Sequence, residues 1–184
     1  MDTIKKLENK LHQECRYQTL TVYSAVGIAL SRHWGWGTAR IERLFDLTSD
    51  VWHECGETND VSMLEMLEQE TGIELILQEN GKSWHNLAFL NGQIRRYNRS
   101  ITRYQWIAMR QQQIQWLGTT IQACIYLALH RREGFGPERI KRIMDQMTEV
   151  REEYGNKMQS LIDACKAETG VNVVEKFKAE VYSR

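Results

Sequence analysis

The sequence predicts an all-α protein, an internally duplicated helical bundle in which two tandem three-helix units are joined by a connector helix. Three observations predict it. The 184-residue chain contains one proline, and proline is the strongest helix breaker. Apolar residues recur at helical spacing over long stretches. The chain also matches itself when shifted by 99 residues.

The self-match carries the architecture. At that shift Thr21 meets Thr120, Ala29-Leu30 meets Ala128-Leu129, Arg32 meets Arg131, and Gly35 and Gly37 meet Gly134 and Gly136. Arg40, Ile41, Arg43 and Asp46 then fall on Arg139, Ile140, Arg142 and Asp145, and Val51, Glu54 and Gly56 on Val150, Glu153 and Gly155. One residue fewer brings Ser62 and Glu70-Thr71-Gly72 onto Ser160 and Glu168-Thr169-Gly170. Residues 1–77 are read as the first copy, 78–98 as a basic connector and 99–184 as the second copy, with the copies packing on each other as subunits do in a symmetric dimer.

Each copy presents the same succession: a long helix, a glycine-aromatic-glycine junction, a second helix, a glycine, a short third helix and an ETG stop. In the first long helix Ile4, Leu7, Leu11, Cys15, Val22, Val26 and Ala29 form the seam. In the second, Ile107, Ile114, Ile121 and Ala128 recur every seven residues, a stripe for burial against other helices. Gly35 and Gly134 stand where a helix ends in a left-handed turn, which glycine adopts with least strain. Pro137 follows Gly136, at the first turn, where a missing N–H costs nothing. Between the copies, IELIL at 73–77 reads as a short strand or a helix start, Asn80-Gly81 marks a turn, and the connector helix is expected to begin with Ser83 as its N-cap.

Composition narrows the class. With 42% hydrophobic and 26% charged residues the chain is ordinary globular protein. Its longest apolar run, Val22 to Leu30, has half the ~18 residues that a membrane span needs, so no membrane partner is expected. The opening MDTIKKLENK lacks the apolar core of a secretory signal, and a cytoplasmic location is the expectation. Cys15, Cys55, Cys124 and Cys165 show no metal-ligand spacing and are read as reduced thiols. Net charge is zero overall but −6 over 1–78, +8 over 79–142 and −2 over 143–184. A basic middle answers to an anionic partner or to the acidic ends themselves.

Two groups of residues are candidates for binding. Trp34, Trp36, Arg40, Arg43, Phe135, Arg139 and Arg142 cluster about the two junctions, where an aromatic ring either plugs the corner between helices or, with a nearby arginine, lines a pocket for a nucleotide. Arg96, Arg99, Arg103 and Arg110 form one stripe on a continuous helix, with Tyr97, Tyr104 and Trp106 beside it. Arginine among aromatics grips phosphates and stacks bases, and equally forms a solvated face or lies against the acidic first copy.

The segment GFGPERIKRI resembles the hairpin of helix-hairpin-helix modules, and that resemblance implies backbone N–H groups offered to a nucleic-acid phosphate at a helix N-terminus. The longer stretches Ala29 to Arg43 and Ala128 to Arg142, built on W-G-W-G-x-x-R and G-F-G-x-x-R, are similar to small helical proteins of unknown function encoded by phages and mobile elements of Gram-positive bacteria. That second resemblance implies an accessory or counter-defence setting, and carries no catalytic or binding residues with it.

Catalysis is not the expectation. His53, Glu54 and Cys55 are adjacent in WHEC, but neighbours on a helix point apart. The chain has no HExxH, no GxSxG elbow, no phosphate loop and no dinucleotide fingerprint, and neither metal nor cofactor is called for. The expected activity is non-enzymatic binding through protein association, with self or with another protein. Nucleic-acid binding and sequestration of a small nucleotide are the alternatives.

Overall fold

Along the first long helix every residue from Leu20 to Leu30 is buried, and along the second every residue from Ala123 to Leu129. A helix buried on all sides has to be wrapped by others, not laid on a surface. The rest of the fold supplies the wrapping.

The computed structural model describes residues 2–56, 62–75, 78–79, 82–83, 103–155 and 157–178. Helices α1 (Asp2–Trp34), α2 (Thr38–Gly56) and α3 (Ser62–Thr71) come first, followed by strands β1 (Gln78–Glu79) and β2 (Lys82–Ser83). Helices α4 (Arg103–Glu133), α5 (Pro137–Tyr154), α6 (Met158–Thr169) and the single turn α7 (Val173–Lys176) complete the described residues. The protein is an all-helical bundle, and the antiparallel ladder β1–β2 is its only sheet among the described residues.

The two long helices lie together and run in the same direction. Gln18 meets Gly118 partway along them, and Trp34 meets Phe135 at their C-terminal ends. Wrapping then crosses the chain: α1 packs mainly on α6, α5 and α4, while α4 packs on α2, α3 and α1. Contacts of α1 with α2, and of α4 with α5, are slight. The long helices therefore share a bundle as expected, but each is covered chiefly by the short helices from the far half. Apolar side chains from both halves form one buried cluster, from Leu20 and Val22 through Phe45 and Leu67 to Ile125, Ile140, Leu161 and Phe177. Each large side chain fully buried in it contributes roughly 1.5–3 kcal/mol of transfer free energy.

Both junctions are built as glycine requires. Gly35 and Gly134 take φ of 65° and 67°, and the N–H of Trp36 and of Phe135 reaches back to the carbonyl of Leu30 and of Leu129 at 3.2 and 3.0 Å. The ETG stops also act alike. The Thr71 and Thr169 hydroxyls donate to the carbonyls of Leu67 and Cys165 and accept from the N–H of Ile73 and Val171.

The region between the halves departs from expectation. Residues 73–75 of the segment read as a short strand or a helix start are irregular, residues 76–77 lie outside the described residues, and a strand falls at 78–79. Ser83 pairs with Gln78 in the ladder, and the residues it was expected to cap lie outside the described residues. The connector helix from residue 84 onward, with Arg96 and Arg99, lies outside the described residues.

Candidate functional site

The ends of α1 and α4 bring the two junctions face to face. Trp36 and Phe135 meet edge to face with ring centroids 5.9 Å apart, and Trp34 lies against Phe135 at 5.0 Å. Trp36 and Phe135 are 4% and 3% exposed. Their place in the core follows from the turn: a left-handed glycine swings the next residue back across the helix end, and an aromatic ring there fills the corner.

Arginines close over these rings. The Arg40 guanidinium sits 3.9 Å above the Trp36 ring, and that of Arg139 5.7 Å from Phe135. A cation over an aromatic face at an exposed site contributes about 0.5–1 kcal/mol. Trp34, Trp36, Phe135, Arg40 and Arg139 thus form one run of contacts, Arg43 joins Arg40 only through Glu133, and Arg142 sits on the exposed side of α5 one turn beyond Arg139.

The two junctions differ in what their arginines hold. Arg40 donates through Nε and Nη2 to Glu133 Oε2 at 3.2 and 2.7 Å, and Arg43 bonds the other oxygen, Oε1. The Glu133 side chain is 5% exposed. Burial works to raise its pKa, but the hydrogen bonds from Arg40 and Arg43 outweigh that and hold the carboxyl below the usual range. At the 99-residue offset the counterpart of Glu133 is Trp34. Trp34 turns toward α5 and donates from Nε1 to Gln146 at 2.8 Å. Among the described residues no carboxylate lies within ion-pair distance of Arg139 or Arg142.

Further out, two arginine clamps tie the halves together. Arg32 bonds Glu168 through Nε and Nη2, both at 2.7 Å, and Glu153 at 2.6 Å. Arg131 bonds Glu70 through Nε at 2.9 Å and Nη2 at 2.5 Å, with Glu54 at 3.6 Å. The side-on pairing, two N–H groups on two carboxylate oxygens, is the strongest geometry available to arginine. The Arg131 hydrogen bonds lower the Glu70 pKa, and the Arg32 hydrogen bonds lower that of Glu153 and raise that of Arg32 itself. All six residues occupy matching positions at the 99- and 98-residue offsets. Sequence reasoning did not single out this set, nor Glu133, because charged residues at helix ends look like solvent face. A third tie is the Thr38 hydroxyl, which donates to the carbonyl of Thr169 at 2.6 Å. Gly170 permits the approach, since a Cβ there would stand 2.8 Å from Thr38 Oγ1.

The reactive groups stay apart. His53 and Glu54 are exposed on α2, with Glu54 drawn to Arg131 and Arg132. His130 Nδ1 is 2.9 Å from the carbonyl of Phe135, a local tie at the second junction. Cys124 and Cys165 are buried, and Cys15 is half-buried. Among the described residues no three His, Cys, Asp or Glu side chains are grouped to hold a metal ion. The side chains of Cys55, Arg103 and Arg110 lie outside the described residues, so the basic stripe is not placed. No helix of the described residues is long and apolar enough to cross a membrane.

A groove of about 280 Å³ opens between α1, α6 and α7, lined by Gln13, Arg16, Tyr17, Leu20, Gln159, Ile162 and Val174. Tyr17, on α1, is 41% exposed, and Met158, at the start of α6, is 42% exposed. Comparison of the chain with protein-family models, with curated proteins and with solved structures finds no match.

Proposed function

We propose that this protein is a non-enzymatic interaction protein that acts by protein–protein association, and that its chain is a fused pair of related three-helix units whose long helices have changed places. The matched arginine clamps and the crossed packing of α1 and α4 support the second half of that reading. What supports the first is the groove beside α1, where Tyr17 is presented together with Leu20, Ile162 and Val174. Exposed aromatic and thioether side chains such as Tyr17 and Met158 are the types enriched where proteins meet.

The occupant we assign to the groove is a second copy of the chain. Light scattering should give a mass above that of the 21.7 kDa monomer, and Tyr17→Lys with Met158→Lys should return it to monomer. A wild-type chain that stays monomeric at high concentration would remove this reading. The similarity of the W-G-W-G and G-F-G segments to phage and mobile-element proteins supports an accessory or counter-defence setting within the cytoplasm.

Nucleic-acid binding is a second reading, favoured by Arg139 and Arg142 having, among the described residues, no carboxylate within ion-pair distance beside the GFGP turn. It requires affinity that falls steeply with salt, and a gel shift without retardation at low salt would end it. Nucleotide sequestration draws least support, because the rings meant to stack a base are buried against each other and Glu133 already occupies Arg40 and Arg43.

A further inference from the structure

Resting on the reading of the chain as a protein-binding module, we infer that Arg139 and Arg142 form a clamp for a glutamate carboxylate supplied by a partner protein. The template lies within the molecule. Arg40 and Arg43 occupy the matching positions on α2, and the two together enclose the carboxylate of Glu133, one arginine on each oxygen. In the other half the residue matching Glu133 is Trp34, whose bond to Gln146 shows that position 34 faces α5 in the same sense. The arginine pair is therefore kept while its internal anion is replaced by an indole.

The surroundings suit an incoming acid. Arg139 and Arg142 are both exposed, on one face of α5, and Lys141 nearby is turned to Glu138 at 3.6 Å. Phe135, with Trp34 against it, lies under the Arg139 guanidinium, and an apolar ring there strengthens a charge-assisted hydrogen bond by excluding water from one side. A carboxylate is favoured over a phosphate because the sister pair, with the same two residue types at the same spacing, is occupied by one.

The test uses the full chain and a fluorescein-labelled oligoglutamate peptide, read by anisotropy at low salt. The wild type should bind, and Arg139→Ser with Arg142→Ser should weaken binding by about tenfold or more, the scale of a lost hydrogen bond between charged groups. Trp34→Glu should do the same by supplying the internal carboxylate. Gln69→Glu, which adds the same charge on the exposed face of α3, should leave binding unchanged. Equal weakening by Gln69→Glu, or no weakening in the double serine variant, would overturn the clamp. So would a duplex DNA probe that binds through these arginines when oligoglutamate does not. Should Trp34→Glu fail to fold, the serine variant, altered only at exposed positions, still decides. Failure of this test leaves self-association through the Tyr17 groove standing, and the light-scattering result leaves the clamp standing.

Discussion

Trp36 and Phe135, 99 residues apart in the chain, meet edge to face in the corner where both long helices end. Each ring is held by a left-handed glycine before it, and each lies under an arginine from the helix that follows. Removing one ring leaves the other half's ring without its neighbour. Phe135→Ala should cost about 3–5 kcal/mol, the range for a buried aromatic lost to a cavity. Urea denaturation of the variant beside the wild type measures it, and a loss below that range would mean that the corner collapses onto Trp34.

The glycines before these rings can be tested separately from packing. Nothing lies within 4 Å of a Cβ built on Gly134, whose φ is 67°. Gly134→Ala should therefore cost only the backbone strain of the left-handed conformation, about 1–2 kcal/mol. Gly134→Asn should cost less, since asparagine tolerates that region. Thermal melting of the two variants should rank them in that order.

The clamps Arg32–Glu168 and Arg131–Glu70 should behave as equals. Double-mutant cycles at each pair should return a coupling of about 0.5–1 kcal/mol, modest because the side chains remain partly in water. Unequal couplings would mean that Glu153 and Glu54, the second carboxylates, share the arginines differently.

Acid should loosen the ties between the halves. The Glu70 and Glu133 carboxyls are held below their ordinary value of 4.5 in the folded protein. A depressed carboxylate pKa contributes stability that is present above the unfolded value and is lost as pH falls through the folded one. The urea midpoint should accordingly be flat near neutrality and drop below about pH 4.5. Glu133→Gln should flatten part of that drop.

Much of the fold could be read from residue order because its rules are local. Gly35 and Gly134 stop their helices for a reason any sequence shows, and the buried aromatic after each follows from the turn. Partner choice could not be read. Apolar spacing along α1 says which face is buried, but α2–α3 and α5–α6 carry the same pattern and offer that face the same welcome. Glu133 was missed for a related reason: in HRREG it resembles a solvated helix end. The available signal was a mismatch of type, since Glu133 faces Trp34 at the 99-residue offset between the matching Arg32/Arg131 and Gly35/Gly134.

Crossed packing has a consequence for synthesis. The stretch Leu20 to Leu30 finds its cover in α4, α5 and α6, so an emerging chain carries that apolar helix uncovered until residues near Thr169 have left the ribosome. Contacts over such sequence distances close slowly, because the loop entropy is lost before the contacts form. A nascent chain arrested before Arg103 should accordingly bind hydrophobic-surface chaperones and be cut readily by protease, and the released full-length chain should do neither.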